Sequence, residues 1–323
     1  MRNTRHCCPY AGQPDAVRRF DLTLAMSVDG EFAAVDRPAT ELAVDDANTG
    51  WNAHLELGFE RSSPDRTVLV RREHRGPLRI QKALYPEGPS VCHAVVIHPP
   101  GGIVGGDRLS LDIELGAHAH ALITTPGATK WYKTSGAVAS QQVRIRAAAN
   151  AAIEWLPQES IIFNHARAAS GMQIDLHQRS IFLGWEMLCF GRTASAEAFT
   201  EGVFRQRWRI RQNGAWLWNE AGEVAGGGAL MASPAGLNGQ PVCATLIAAG
   251  RPVSAALLAD ARAILAGTPC ASRMATTRLP QVFVARYSGP SAEEARTAFV
   301  ALWSILRPQL IGICSRTPRL WAT

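Results

Sequence analysis

No stretch of this chain carries the roughly 20 consecutive apolar residues that a helix needs to cross a bilayer, although hydrophobic residues make up 47% of the sequence. Cysteine is sparse and unpatterned. The seven thiols are Cys7, Cys8, Cys92, Cys189, Cys243, Cys270 and Cys314. They are odd in number, and no two stand in a C-x-x-C pair. That excludes a zinc ribbon and a disulfide framework and reads as reduced thiols of a cytosolic protein. The arginines near the start (Arg2, Arg5, Arg18, Arg19) are followed by no continuous apolar segment and no small-residue cleavage site, so secretion is not expected. The expected molecule is soluble and cytoplasmic, with no membrane partner. Two hydrolase signatures, G-x-S-x-G and H-E-x-x-H, are also missing.

Charge is modest. A net +6 favours an acidic partner through long-range attraction but does not by itself define a nucleic-acid binder.

Residues 1–50 mix Asp, Ala, Pro and Gly without a sustained period and read as a loosely ordered, variable extension. From Trp51 the pattern becomes that of short strands, so residues 51–323 are read as one domain. "HLELGFE", "RTVLVRR", "PLRIQKAL" and "VCHAVVIH" are β-branched and Leu-rich runs between Gly and Pro clusters. In "RLSLDIEL", Leu109, Leu111, Ile113 and Leu115 alternate with polar residues, which predicts one dry and one wet face. "FRQRWRIRQ" alternates Phe204, Trp208 and Ile210 with Arg205, Arg207, Arg209 and Arg211. That arginine row reads better as a solvated, edge-protecting face than as a nucleic-acid surface, because no aromatic interleaves it. Two helices are predicted toward the C-terminus. The first spans "SAALLADARAILAG" with Gly267 as a left-handed stop. The second starts at a Ser291/Glu294 capping box and ends near Pro308.

The stretch "HPPGGIVGGD" (His98–Asp107) has the Gly spacing of a phosphate loop, but Asp107 stands where its lysine belongs. A strand, not a helix, follows, so a dinucleotide site is excluded too. A tight, shape-defining turn is the minimum reading. Around it lie candidate metal ligands: Cys92, His93, His98 and Asp107, with His118 and His120 beyond. Cys92 and His93 point to opposite faces of a strand, and His93 and His98 differ in parity, so one strand cannot converge them. Glu154 and Glu159 sit in the apolar "IEWLPQESIIF". Buried carboxylates need a partner. Either Glu154 pairs with Lys130, or Glu154, Glu159 and Asp107 line a wet passage for a divalent ion.

Six segments in order, "GPLRIQKALYPEG", "CHAVVIHPPGGIVGGD", "LITTPGATKWYKTSG", "IEWLPQESIIF", "GWEMLCFGR" and "LRPQLIG" through "PRLW", resemble the urease accessory protein UreD (UreH) family from about residue 50 to the end. The resemblance implies a mostly β fold of layered, superhelically wound sheets with two C-terminal-region helices. It also implies a non-enzymatic nickel metallochaperone scaffold that holds no permanent cofactor and carries Ni²⁺ transiently, through an internal polar tunnel toward urease. Its implied partners are the urease apoprotein, UreF and the GTPase UreG, in a hetero-oligomer. Matching positions are His93, His98, Asp107, Glu154 and Glu159 as transient metal contacts, and Gly101, Gly102, Gly105, Gly106, Lys130 and Tyr132 along the tunnel or an interface. Lys133, where the family usually has arginine, departs from the pattern, as do Phe190 and the segment between Ala221 and Cys243. The alternative reading is a metal-dependent enzyme built on Cys92, His93, His98 and Asp107, which needs those side chains to converge.

Overall fold

The structure, a computed structural model, describes residues 50–322. The extension expected over residues 1–50 therefore lies, apart from Gly50, outside the described residues. The strands are, in chain order, β1 (Asn52–Ser63), β2 (Arg66–Arg75), β3 (Arg79–Ile80), β4 (Cys92–Ile97), β5 (Arg108–Leu115), β6 (His120–Thr124), β7 (Thr129–Trp131), β8 (Ala139–Ala147) and β9 (Ala152–Trp155). They continue as β10 (Ser160–Ile162), β11 (Arg167–Leu176), β12 (Ile181–Arg192), β13 (Glu197–Ala198), β14 (Val203–Gln212), β15 (Ala215–Ala225), β16 (Val242–Ala249), β17 (Met274–Leu279) and β18 (Val282–Gly289). The helices are α1 (Ala229–Ala232), α2 (Ala255–Ala266) and α3 (Ala292–Leu310).

The chain winds as a solenoid. It alternates between two sheets, so that β5, β8, β11 and β14 pair in parallel on one side, while β4, β6, β9 and β12 pair in parallel on the other. Antiparallel hairpins close both ends: β2 beside β1, β15 beside β14, and β16, β18 and β17 beyond β12. The result is a seven-stranded sheet facing an eleven-stranded one, with α2 and α3 packed on the outer face of the larger sheet. Layered, superhelically wound sheets with helices near the C-terminus are the architecture that the resemblance implied. The strand "PLRIQKAL" shrinks to Arg79–Ile80.

Because a strand shows successive residues to opposite faces, parallel stacking turns the sequence alternation into ladders of like side chains. Leu57, Ile113, Ile145, Ile174 and Ile210 fall in register and are all buried between the sheets. A smaller ladder at the coil's corner stacks Ile103, Trp131, Ile162 and Phe190. The solvent face carries charges instead, with Asp112 opposite Arg144 and Glu114 opposite Arg146. The arginine row belongs to this face: Arg205 pairs with Glu223, and Arg211 lies 3.9 Å from the Trp216 ring.

Three helix-end expectations change. Gly267 is not left-handed (φ −82°), because the Thr268 hydroxyl caps the Leu265 carbonyl at 2.7 Å and closes the last turn of α2 without a positive φ. Pro308 lies inside α3, which runs on to Leu310, since burial of Leu306, Arg307 and Leu310 against the sheet holds the last turn in place. The capping box is half made. Ser291 accepts from the Glu294 N–H at 3.4 Å, but the Glu294 carboxylate turns to Tyr287 and Arg273.

The ladder generates the first prediction. Ile145→Ala should cost about 2–5 kcal/mol in urea unfolding, whereas Arg144→Ala on the solvent face should stay within about 0.5 kcal/mol. Equal effects would contradict the assigned faces.

Candidate functional site

The outer face of the larger sheet, under α3, buries a continuous chain of ionisable groups. His120 is the first residue of β6 and Glu154 lies in β9, both directed toward the helix rather than between the sheets. Glu154 Oε1 accepts from His120 Nε2 at 2.7 Å and from Arg307 Nε at 3.0 Å, and Oε2 accepts from Trp303 Nε1 at 2.6 Å. Arg307 then grips Glu87 with two N–H groups, at 2.5 and 2.9 Å, and donates to the Cys314 carbonyl at 2.7 Å. Glu87 in turn accepts from His93 Nε2 at 2.6 Å. The Arg307 guanidinium sits 5.0 Å from the Trp303 ring, and its side chain is fully buried.

Desolvation would push both carboxyls up; the hydrogen bonds reverse this. His93 and Arg307 hold Glu87 down at about 2. His120, Arg307 and Trp303 hold Glu154 below the ordinary carboxylate range. A carboxylate in a dry site is stable only with such donors. Glu159 is engaged similarly, by Arg296 of α3. The expected pairing of Glu154 with Lys130 is therefore replaced by Arg307 and His120. Lys130 enters the corner ladder through its backbone, where its carbonyl accepts from Ile103 N at 2.7 Å.

The glycine stretch forms two turns, with Gly101 N donating to His98 O at 2.9 Å and Asp107 N to Val104 O at 3.0 Å. The Asp107 carboxylate ties the loop to the domain's start: it accepts from Trp51 N at 2.8 Å and Val104 N at 3.0 Å. Gly102 has a packing reason, since a Cβ there would lie 2.3 Å from the Tyr132 ring. Gly105 packs on Thr134 in the same way, and Gly101 and Gly106 take φ of 78° and 93°. Tyr132 stands edge-on to Phe163. The His98 Nε2 is buried without a hydrogen-bond partner among the described residues; burial lowers its pKa and Asp107 opposes the shift.

The expected metal contacts thus lie in separate places. His93 and Glu154 join the network under α3, Glu159 binds α3 separately, and Asp107 braces the turn. Cys92 faces the core between the sheets, while His93 faces the helices. Among the described residues no three His, Cys, Asp or Glu side chains group as metal ligands. The convergence that a metal-dependent enzyme at Cys92, His93, His98 and Asp107 requires is absent there.

Sequence reasoning passed over a second polar place, between the two sheets. A cavity of about 100 Å³ is lined by Glu186, Gln206, Glu220, Cys243, Thr245 and Arg286, among others. Glu186 accepts from Trp208 Nε1 at 2.8 Å and from Gln206, yet burial still raises its pKa, with the Glu220 charge adding to the effect. Glu220 pairs with Arg286 at 2.7 Å. Burial pushes the Cys243 thiol up to about 12, so it is a neutral neighbour. On the facing sheet Gln141, Ser170 and Gln206 stand in register on the inward side and continue this polarity across the sandwich. The signal was available: polar residues at inward positions of otherwise apolar strands.

A coiled two-sheet β-scaffold, with its buried charges paired internally and a separate polar cavity between its layers, is the class of protein that this geometry defines. The profile of the UreD urease accessory protein family matches residues 52–322, and the chain belongs to that family. It is 51% identical over 277 residues to "Urease accessory protein UreD" of Azoarcus sp. (strain BH72), covering 86% of this chain and 96% of that protein. It is 45% identical to the protein of the same name from Dechloromonas aromatica (strain RCB), covering 84% and 95% respectively.

The network under α3 has a signed pH dependence. Glu87, ordinarily at 4.5 and held at about 2, contributes stability that is complete above roughly pH 4.5 and lost as pH falls toward 2. Urea unfolding midpoints should drop through that window, and Glu87→Gln should flatten the drop while lowering stability at pH 7. Arg307→Met should cost roughly 3–5 kcal/mol, because two buried carboxylates lose their cation. An unchanged pH profile in Glu87→Gln would refute the assignment.

Proposed function

We propose that this protein is an accessory factor of urease maturation, which works by binding and guiding rather than by turnover. On this reading it joins apo-urease on one side and UreF-like and UreG-like partners on the other, in the cytoplasm, and Ni²⁺ is its cargo. Family membership over nearly all the described chain carries the maturation role. What supports the conduit is the cavity between the sheets, with Glu186 and Glu220 on its wall.

The chemistry suits transit. Hard oxygen ligands bind divalent ions without the retention that several thiolates or imidazoles give, and Cys243 stays protonated. A carboxyl such as Glu186, pushed toward its protonated form by burial, releases a proton when a cation arrives and regains it when the cation leaves. Arg286, already bound to Glu220, keeps that carboxylate from closing on an ion permanently. The expected contacts at Glu154 and Glu159 hold α3, which leaves Glu186 and Glu220 as the carboxylates of the proposed route.

Co-expression with apo-urease, UreF and UreG tests this. The chain should co-purify with them, and nickel-dependent urease activity should require it. Glu186→Gln and Glu220→Gln should leave the complex intact but reduce activation severalfold. Full urease activation without the chain, or no complex with these partners, would overturn the role. Normal activation by both variants would overturn the route alone.

A further inference from the structure

At one end of the solenoid five loops converge on a second, larger cavity of about 570 Å³, lined by Asn150, Gln178, Arg179, Gln212, Asn213, Gly250, Arg251, Pro252 and Gln281. They are the connections β8–β9, β11–β12, β14–β15, β16–α2 and β17–β18. Among the described residues no acidic and no aromatic side chain lines it. We propose that this cavity is a binding site for a small oxyanion, of the phosphate or polycarboxylate kind, clasped between Arg179 and Arg251.

The floor is prebuilt. Gln212 Nε2 donates to the Gly250 carbonyl at 3.0 Å and lies 3.4 and 3.5 Å from the carbonyls of His177 and Ser180, so one amide ties three loops together. Gly250 N donates to Gln281 O at 3.0 Å and brings in a fourth. Only glycine closes this junction: Gly250 has φ 106°, and a Cβ would lie 2.3 Å from the Ser180 carbonyl. Such bracing lowers the ordering cost of ligand binding.

The wall supplies the charge. Arg251 is held by its Nε and one terminal nitrogen, at 3.4 and 3.3 Å from the Arg179 carbonyl, and its other terminal nitrogen has no partner among the described residues. The Arg179 side chain likewise meets no hydrogen-bond or ion-pair partner among them. Guanidinium forks match planar and tetrahedral oxyanions. The amides of Asn150, Gln178 and Gln281 add donors for anion oxygens and acceptors for hydroxyls. With no aromatic face, the site has nothing on which a nucleobase would stack.

This inference is independent of the nickel route, whose cavity lies between the sheets. Its test is isothermal titration of the purified full chain, at constant ionic strength, with inorganic phosphate, citrate and a Glu-rich peptide. Saturable binding of phosphate or citrate, weakened about tenfold or more in Arg179→Gln, is the expected result, and the better of the two ligands distinguishes phosphate from polycarboxylate. Arg179→Gln removes no internal contact, so its melting temperature should match the parent; Arg251→Gln, which loosens one carbonyl contact, serves as the second variant. No saturable binding of either anion, binding unchanged in both variants, or binding of the peptide alone would overturn the proposal.

Discussion

Arg307 is the constraint on which this molecule's outer layer depends. A guanidinium removed from water is tolerable only if every N–H finds an acceptor, and here the two carboxylates of Glu87 and Glu154 and the Cys314 carbonyl supply them. The match also fixes position. A rotation of α3 about its axis would carry Arg307 away from both carboxylates and Trp303 away from Glu154. The surrounding indoles of Trp185, Trp303 and Trp321 pack against one another and exclude water. That exclusion strengthens the pairing and raises the cost of breaking it.

The central strands of the larger sheet are buried on both sides, yet their faces do different work. Glu154 and Glu186 occur in neighbouring strands, β9 and β12, and point to opposite faces. One meets donors from α3 and from His120 of β6. The other meets neutral donors only, in a cavity with Glu220 nearby. Thus the same residue type serves as a structural clamp in one layer and as a chemically available group in the next. Parallel winding makes this possible, since each coil repeats the parity of the last and keeps the two polar places apart.

Much of the architecture was legible. Strand alternation from Leu109 to Leu115 and from Phe204 to Ile210 appears in the structure with the faces as read, and the turn at His98–Asp107 is a turn. The arginine row resolved as a solvated face, although Trp216, which Arg211 covers, comes from the next strand and was invisible within the motif. The site was less legible. Glu154 drew attention as a buried carboxylate, but its partner was sought at Lys130, near in sequence, because nothing local points 153 residues ahead to Arg307. His120, read only as a candidate metal ligand, is bound to Glu154 instead, and Glu87 was not among the candidate residues.

What the sequence determined by itself is the strand-rich character of the chain, the wet and dry faces of its clearly alternating strands, the two larger helices and the family, because each follows from short-range periodicity or ordered local motifs. Which buried carboxylate meets a cation and which faces a cavity was decided only by the tertiary structure. Periodicity tells a side chain which side of its strand to take; it does not say what the winding of later coils and the docking of α3 will bring to that side.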